Sequence, residues 1–307
     1  MLPQWAAAQA YPTKPVQMVV PFAAGGPADI MARALALKLA AALKQPMLVI
    51  NQPGAGGGLG SKAVAQAQPD GYNLLFTLDS TLTANPILYG SKTGFDPVND
   101  LRPITTVVAY GQTLVVHPSL KVTNFAQFLE LARKQDLAYA SAGNASPGNL
   151  TMELLAGLIK AKMTHVPYRG AAPALNDLVG GQVNAGFLVT PGVVPYVTTD
   201  KLIAPVTSST KRSPLLPQVP TVSEAGFPAA TLEFSMVLLA PAKTPEAIVQ
   251  RLQKETRDAL ASEDMQRLMK NNDYAVVADT PEQAKARLAN TFTRMSELIT
   301  TRGIKAE

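Results

Sequence analysis

Short apolar runs rich in β-branched residues alternate along the chain with segments whose apolar residues recur at helical spacing, and no other property narrows the fold as far. Val16–Pro21, Met47–Asn51, Asn73–Thr77, Ala138–Ser141, Thr164–Pro167, Val183–Leu188 and Leu202–Thr207 read as strands. Asp29–Leu43, Leu59–Ala67, Phe125–Lys134, Leu150–Ala161 and Ala172–Val179 read as helices. Strands joined through helices pair in parallel with right-handed crossovers, so the pattern predicts α/β sheets covered by helices.

One core does not serve 307 residues, since a domain takes roughly 150. Two lobes are expected, yet no low-complexity linker separates them. The strands themselves must then cross, and Thr105–Val116 and Leu232–Ala240 are long enough to do so. This places residues 11–109 with 232–307 in one lobe and 110–231 in the other. Near the C-terminus, Thr244-Pro245 opens one helix, and Thr280-Pro281-Glu282-Gln283 pairs an N-cap with Gln at the third helical position to open another.

Composition removes several function classes. The net charge of +5 is not gathered into a Lys/Arg run, and the aromatic residues are not interleaved with basic clusters, so nucleic acid is not an expected partner. The absence of cysteine excludes disulfides, thiolate metal sites and a thiol nucleophile, and suits an oxidising compartment. Two histidines, His117 and His165, leave no basis for a multi-histidine metal site. His165 lies in a strand-like run and reads as structural; His117 reads as a strand-end residue without an evident partner. Ala8-Gln9-Ala10 has the small-x-small form of a signal-peptidase site, so residues 1–10 read as the remnant of a trimmed signal peptide and the protein as periplasmic. No stretch has the ~18 apolar residues of a membrane span.

Three strand-to-helix turns could hold an anion. Pro21-Phe22-Ala23-Ala24-Gly25-Gly26-Pro27-Ala28-Asp29 has two glycines that let backbone N–H groups turn outward at a helix start, where the peptide dipoles leave roughly half a positive charge. A plain turn with Asp29 as a dipole partner would look the same. In Ser141-Ala-Gly-Asn-Ala-Ser-Pro-Gly-Asn149, Ser146 and Asn149 are candidate caps or ligand donors. Val166-Pro-Tyr-Arg-Gly-Ala-Ala-Pro173 offers Arg169, which either clamps a carboxylate or lies solvated on the surface.

Gly54-Ala-Gly56-Gly57-Gly58-Leu59-Gly60 after a strand, with Asp79 ending the next, imitates a dinucleotide fingerprint. The register fails, because with Gly54 as the first position of G-x-G-x-x-G the sixth is Leu59, one residue short of Gly60, and Pro53 interrupts the turn. G-x-S-x-G, H-E-x-x-H, the P-loop and C-x-x-C are all absent, so no catalytic residue, metal or cofactor is expected.

Seven segments in order, YPTKPVQMVVPFAAGGPADIMAR, INQPGAGGGLGSKAVA, PDGYNLLF, FDPVNDLRPI, YASAGNASPGNL, HVPYRGAAPALNDLVGGQV and VPTVSEAGF, resemble the Bug family of solute receptors for tripartite tricarboxylate transporters. The resemblance implies the two-lobed α/β periplasmic binding protein fold of Venus-flytrap type with two hinge-crossing strands. It also implies a monomer that takes a small carboxylate and hands it to integral membrane subunits. Carried over by motif, the ligand site comprises Phe22, Ala24, Gly25, Gly26, Pro27, Ala28 and Asp29 in the first lobe, with Ser80 and Thr81 as hydroxyl donors. From the second lobe come Ser146, Asn149, Gly170, Ala171 and Ala172, beside which Arg169 stays a candidate clamp on its own chemistry alone, and Phe234 stands where a cleft-wall Trp is common. Leu188 replaces a usual acidic residue, so the resemblance implies a mono- or dicarboxylate without an amino group, with an apolar or aromatic body as an option. The competing readings are a sensory module reporting a carboxylate to a membrane kinase and an NAD(P)-dependent enzyme built on Gly54–Gly60.

Overall fold

The structure, a computed structural model, describes residues 11–168 and 170–305. The first half runs β1 (Val16–Val20), α1 (Pro27–Leu43), β2 (Met47–Asn51), α2 (Gly58–Ala65), β3 (Asn73–Leu78), α3 (Asp79–Thr83), α4 (Asn85–Tyr89), β4 (Leu101–Tyr110), β5 (Thr113–Val116) and α5 (Phe125–Lys134). There follow β6 (Leu137–Ser141), α6 (Pro147–Ile159), β7 (Met163–Pro167), α7 (Ala171–Val179), β8 (Ala185–Leu188), α8 (Thr190–Val197) and β9 (Ile203–Thr207). The chain closes with β10 (Phe234–Pro241), α9 (Glu246–Leu260), α10 (Glu263–Asn271), β11 (Ala275–Val276) and α11 (Pro281–Arg302). The observed helices α1 and α6 start two and three residues ahead of the sequence expectation because Pro27 and Pro147, with φ already fixed, occupy the first helical position. At Thr280 the expected capping box is present, with hydroxyl and Gln283 side chain each bonding the other's backbone.

Two sheets form, ordered β11-β4-β10-β3-β1-β2 and β7-β6-β8-β5-β9. They are mixed rather than purely parallel. β10 is antiparallel to β3 and β4, and β5 is antiparallel to β8 and β9. The reason lies in the crossings: β4 leaves the first lobe and β9 leaves the second, whereas β5 and β10 enter from the junction and must run away from it. The parallel strands β1 and β3, and β6 and β8, therefore all end at the junction. Their βα turns, where the candidate motifs lie, face the space between the lobes.

The expected long strand Thr105–Val116 breaks at Gly111-Gln112, where the chain passes between sheets. A Cβ at Gly111 would stand 2.2 Å from Ser209 Oγ and 2.7 Å from Ser209 N, so only glycine lets the outgoing crossing lie against the segment leaving β9. Ser208 ties the two crossings together: its N–H donates to Gln112 O (2.8 Å), and its hydroxyl donates to Leu232 O (2.8 Å). The first core fills the face of the first sheet beneath α1 and α9 with residues such as Met18, Leu35, Leu39 and Phe76, and it extends across the junction to Leu150 of α6. The second lobe has its own core, centred on Phe128, Tyr139, Leu155 and Phe187.

His117 is not unpartnered: its Nδ1 lies 2.8 Å from Ser119 Oγ and its ring packs on Gly181. His165, on β7, stacks on Tyr139 with ring centroids 4.8 Å apart and lies 2.6 Å from Ser141 Oγ, so it is held in the lobe's hydrogen-bond network.

Candidate ligand-binding site

The turn between β1 and α1 is organised around one buried carboxylate. Asp29, 2% exposed, accepts from Gly25 N–H (2.9 Å), Arg33 Nε (3.0 Å) and Asn51 Nδ2 (2.8 Å), and the same Asn51 group donates to Phe22 O (3.1 Å). The Arg33 hydrogen bond, reinforced by Gly25 and Asn51 against the cost of burial, holds this carboxyl down at about 2. Its side chain is thus a brace. Gly25, at φ 81, takes a left-handed turn, and Gly26 caps α1. Ile30 N–H is the first amide bonded within the helix, to Gly26 O (3.0 Å), and Pro27 has no N–H. The amides of Ala28 and Asp29 consequently have no intrahelical acceptor and lie at the positive end of the helix. Ala24 is exposed beside them.

The glycine run Gly54–Gly60 serves close packing. Gly57 (φ 92) leaves no room for a side chain, since a Cβ would be 2.9 Å from Thr81 Oγ1 and 3.3 Å from Phe22 Cζ. Thr81 Oγ1 and Asn85 Nδ2 both donate to Gly56 O, at 3.2 and 2.9 Å. A Cβ at Gly60 would meet Gln52 O at 2.8 Å. Asp79, the acid that imitates a ribose ligand in sequence, is buried beneath the junction and accepts from Ser235 N–H (2.9 Å) and Oγ (2.7 Å). Burial pushes it up to about 7 although the Ser235 bonds pull the other way. No ribose reaches a carboxyl so placed, and the dinucleotide reading loses its acidic partner. Ser80, half-buried, follows it in the first turn of α3.

In the second lobe, the loop from β6 to α6 is pinned by Asn149, whose Oδ1 accepts from Ala145 N–H (2.9 Å) while its Nδ2 donates to Tyr139 OH (2.7 Å). Ser146 caps α6, and Leu150 N–H bonds Ser146 O at 3.0 Å. Gly148 and Asn149 N–H groups therefore have no acceptor within the helix, and Ser146 Oγ is buried with no hydrogen-bond partner. A buried hydroxyl left unpaired costs about 1–3 kcal/mol, which a bound acceptor would recover. Gly148 packs this helix start onto the end of β8, where a Cβ would be 2.2 Å from Phe187 O. Gly170 (φ 115) caps α7, whose first turn carries exposed Ala171 and Ala172; Arg169 lies outside the described residues.

A cavity of about 210 Å³ separates the lobes at this junction. Pro27 of α1 forms one wall, Tyr110 and Tyr274 another, and Val189, Thr190 and Pro191 after β8 the wall opposite. Asp273 completes it, its carboxyl raised by burial against the opposing pull of the Thr190 and Ser213 hydroxyls. Sequence reasoning missed Tyr110, Thr190, Asp273 and Tyr274. One signal was present, because Thr190-Pro191 after β8 repeats the strand-to-proline-helix form of Gly26-Pro27 and Ser146-Pro147. Phe234, expected in the cleft wall, is 2% exposed and packs in the first core with its ring 6.3 Å from that of Tyr110. Among the described residues no cluster of three His, Cys, Asp or Glu could hold a metal ion, and no helix is long and apolar enough to cross a membrane.

Residues 31–304 match the family described as tripartite tricarboxylate transporter family receptor. The chain belongs to that receptor family. It is similar to protein BugT of Bordetella pertussis, at 32% identity over 300 residues, covering 97% of this chain and 92% of the relative. The solved structure of the periplasmic binding protein BugD is 34% identical, with a TM-score of 0.82 over 97% of this chain and 100% of that one. MatC from Rhodopseudomonas palustris, solved with bound malate, is 30% identical, with a TM-score of 0.80 over 94% of this chain and 100% of its own. The receptor thus has the two-lobed fold of the solute-binding proteins and is not an enzyme.

Proposed function

We propose that this receptor captures a small dicarboxylate or monocarboxylate without an amino group, holding it between the start of α1 and the start of α6. The observation that carries the reading is the pair of helix starts, one from each lobe, that present unbonded amides to the junction, with the unpaired Ser146 Oγ beside the second. One carboxylate lies on the amides of Ala28 and Asp29, the other on those of Gly148 and Asn149 with the Ser146 hydroxyl. No buried countercharge is needed: micromolar binding takes about 8 kcal/mol, and charge-assisted hydrogen bonds supply roughly 1.5–3 kcal/mol each before ordering costs. The malate bound to MatC supports the ligand class.

The lobes are residues 11–109 with 232–307, and 110–231, closing about the crossings at Gly111-Gln112 and Leu232. The protein works in the periplasm and delivers its ligand, as a monomer, to the integral membrane subunits of a tripartite tricarboxylate transporter. Calorimetry against malate, adipate, succinate, benzoate, citrate, aspartate and NAD tests the ligand class. Saturable binding of one or more plain carboxylates is expected, and tight binding of aspartate with silence from all the others would refute the non-amino assignment. Cross-linking of the ligand-loaded protein to the transporter's membrane subunits tests delivery.

A further inference from the structure

α11 is anchored to the first lobe and ends on the second. At its start Arg287 pairs with Asp279 (3.2 Å), whose carboxylate accepts from Thr106 N–H on β4 (2.7 Å). Further along, Met295, Leu298 and Ile299 enter the first core. At its last residue, Arg302 Nε donates to Glu153 Oε2 on α6 at 3.1 Å, and both side chains are largely shielded from solvent. The path is cleared by Gly157, since a Cβ there would lie 3.1 Å from Arg302 Cδ; glycine is a poor residue for a helix interior, and here it makes room for the crossing arginine.

From Glu153 the bonds run on without a gap. Tyr139 OH donates to Glu153 Oε1 (2.7 Å), Asn149 Nδ2 donates to Tyr139 OH (2.7 Å), and Ala145 N–H donates to Asn149 Oδ1 (2.9 Å). Ala145 sits at φ 55, a left-handed backbone that a non-glycine residue keeps only when its surroundings hold it. Arg302, Glu153, Asn149 and Asn144 also line one hollow of about 270 Å³, so the end of α11 stands beside the loop as well as bonded to it. We propose that Arg302 is a positioning residue for ligand capture: reaching over from the first lobe, it fixes the β6–α6 loop of the second through Glu153, Tyr139 and Asn149. The inference rests on the reading of the α6 start as half of the carboxylate site, and it makes the geometry of that half depend on where the first lobe's last helix stands. Connected hydrogen bonds of this kind are stronger together than singly, so loss of the terminal charge propagates to the loop.

The test uses the full chain, first without ligand. Amide exchange at Ala145 is compared in wild type, Arg302→Ala, Arg302→Lys and Glu153→Gln, and malate affinity is measured in parallel. Arg302→Ala should speed exchange at Ala145 about tenfold and weaken malate binding about tenfold, the equivalent of losing one hydrogen bond to a charged group. Arg302→Lys should recover most of both. Unchanged exchange at Ala145 in Arg302→Ala, or exchange that rises equally in the α9 amides, would reduce Arg302 to a packing contact and overturn the proposal. Should Arg302→Ala fail to fold, Glu153→Gln, which keeps an acceptor for Tyr139 while removing the charge, decides the same question. Failure of wild type to bind malate or any other plain carboxylate would count against the carboxylate reading, while the exchange data would still decide the link from Arg302 to the loop.

Discussion

Asp79 gives the receptor a stability that falls as pH rises from about 4 to about 7 and levels off above. The carboxyl is enclosed where α3 begins, under Ser235 of the entering strand β10, and burial raises it from the ordinary 3.8 to about 7. A group whose acid form the fold prefers keeps its proton in the native state while the unfolded chain has already lost it. Its effect is therefore absent below about pH 4, where both states are protonated, and stability then drops with increasing pH until the native carboxyl also ionises near 7. Each tenfold change in proton affinity is worth about 1.4 kcal/mol, so the ionised native state carries a penalty of about 4 kcal/mol above that point. Asp79→Asn removes the titration and keeps an oxygen that accepts from both Ser235 donors. Urea unfolding, followed by circular dichroism at half-unit steps from pH 4 to 8, should show the variant gaining about 4 kcal/mol on the wild type across the window. Parallel curves, with a constant offset between the two proteins, would refute the reasoning by showing that Asp79 is ionised throughout or reached by solvent.

Three further outcomes follow from the geometry. Ser146→Ala deletes a hydroxyl with no partner in the protein, so the melting temperature of the ligand-free chain should hold or rise slightly while carboxylate affinity measured by calorimetry falls about tenfold. Gly111→Ala places a methyl 2.7 Å from Ser209 N at the crossing and should cost about 1–3 kcal/mol in denaturant unfolding, because backbone on both sides must shift. Asp29 acts oppositely to Asp79: its carboxyl, held at about 2, contributes stability present above pH 4 and lost as pH falls toward 2, so Asp29→Asn should lose about 2 kcal/mol at pH 7 and converge with wild type in acid unfolding.

Much of the architecture was legible in the chain because it is local. Alternating strand and helix patterns, prolines at helix starts and the Thr280 capping box depend on residues a few positions apart, and the structure shows them within two or three residues of where they were read. The free amides at the starts of α1 and α6 could be located for the same reason, since a proline that follows a strand-end glycine or serine defines which amides a helix leaves without an acceptor. The partners of the side chains in and around those turns are set otherwise. Asp29, Thr81 and Asn149 are the kinds of residue a ligand site uses, yet their hydrogen bonds go to Gly25, Gly56 and Ala145, and no spacing in the sequence says whether a polar group has found a partner in the protein.

What the sequence by itself determined is most of the longer elements, the presence of two lobes and the family, all of which are encoded in short-range pattern and ordered motifs, whereas the short α3, α4, α8 and β11, the helix α10 and the break between β4 and β5 were not legible. Only the tertiary structure decided that β5 and β10 run against their neighbours, that Phe234 belongs to the core, and that Tyr110, Thr190 and Asp273, 80 or more positions apart, wall one cavity. It also decided that Arg302, 149 positions from Glu153, ends a chain of hydrogen bonds on the second-lobe loop. Contacts of that kind form where two crossings and a final helix bring distant segments together, and their energy depends on burial and on partners that exist only after the chain has closed.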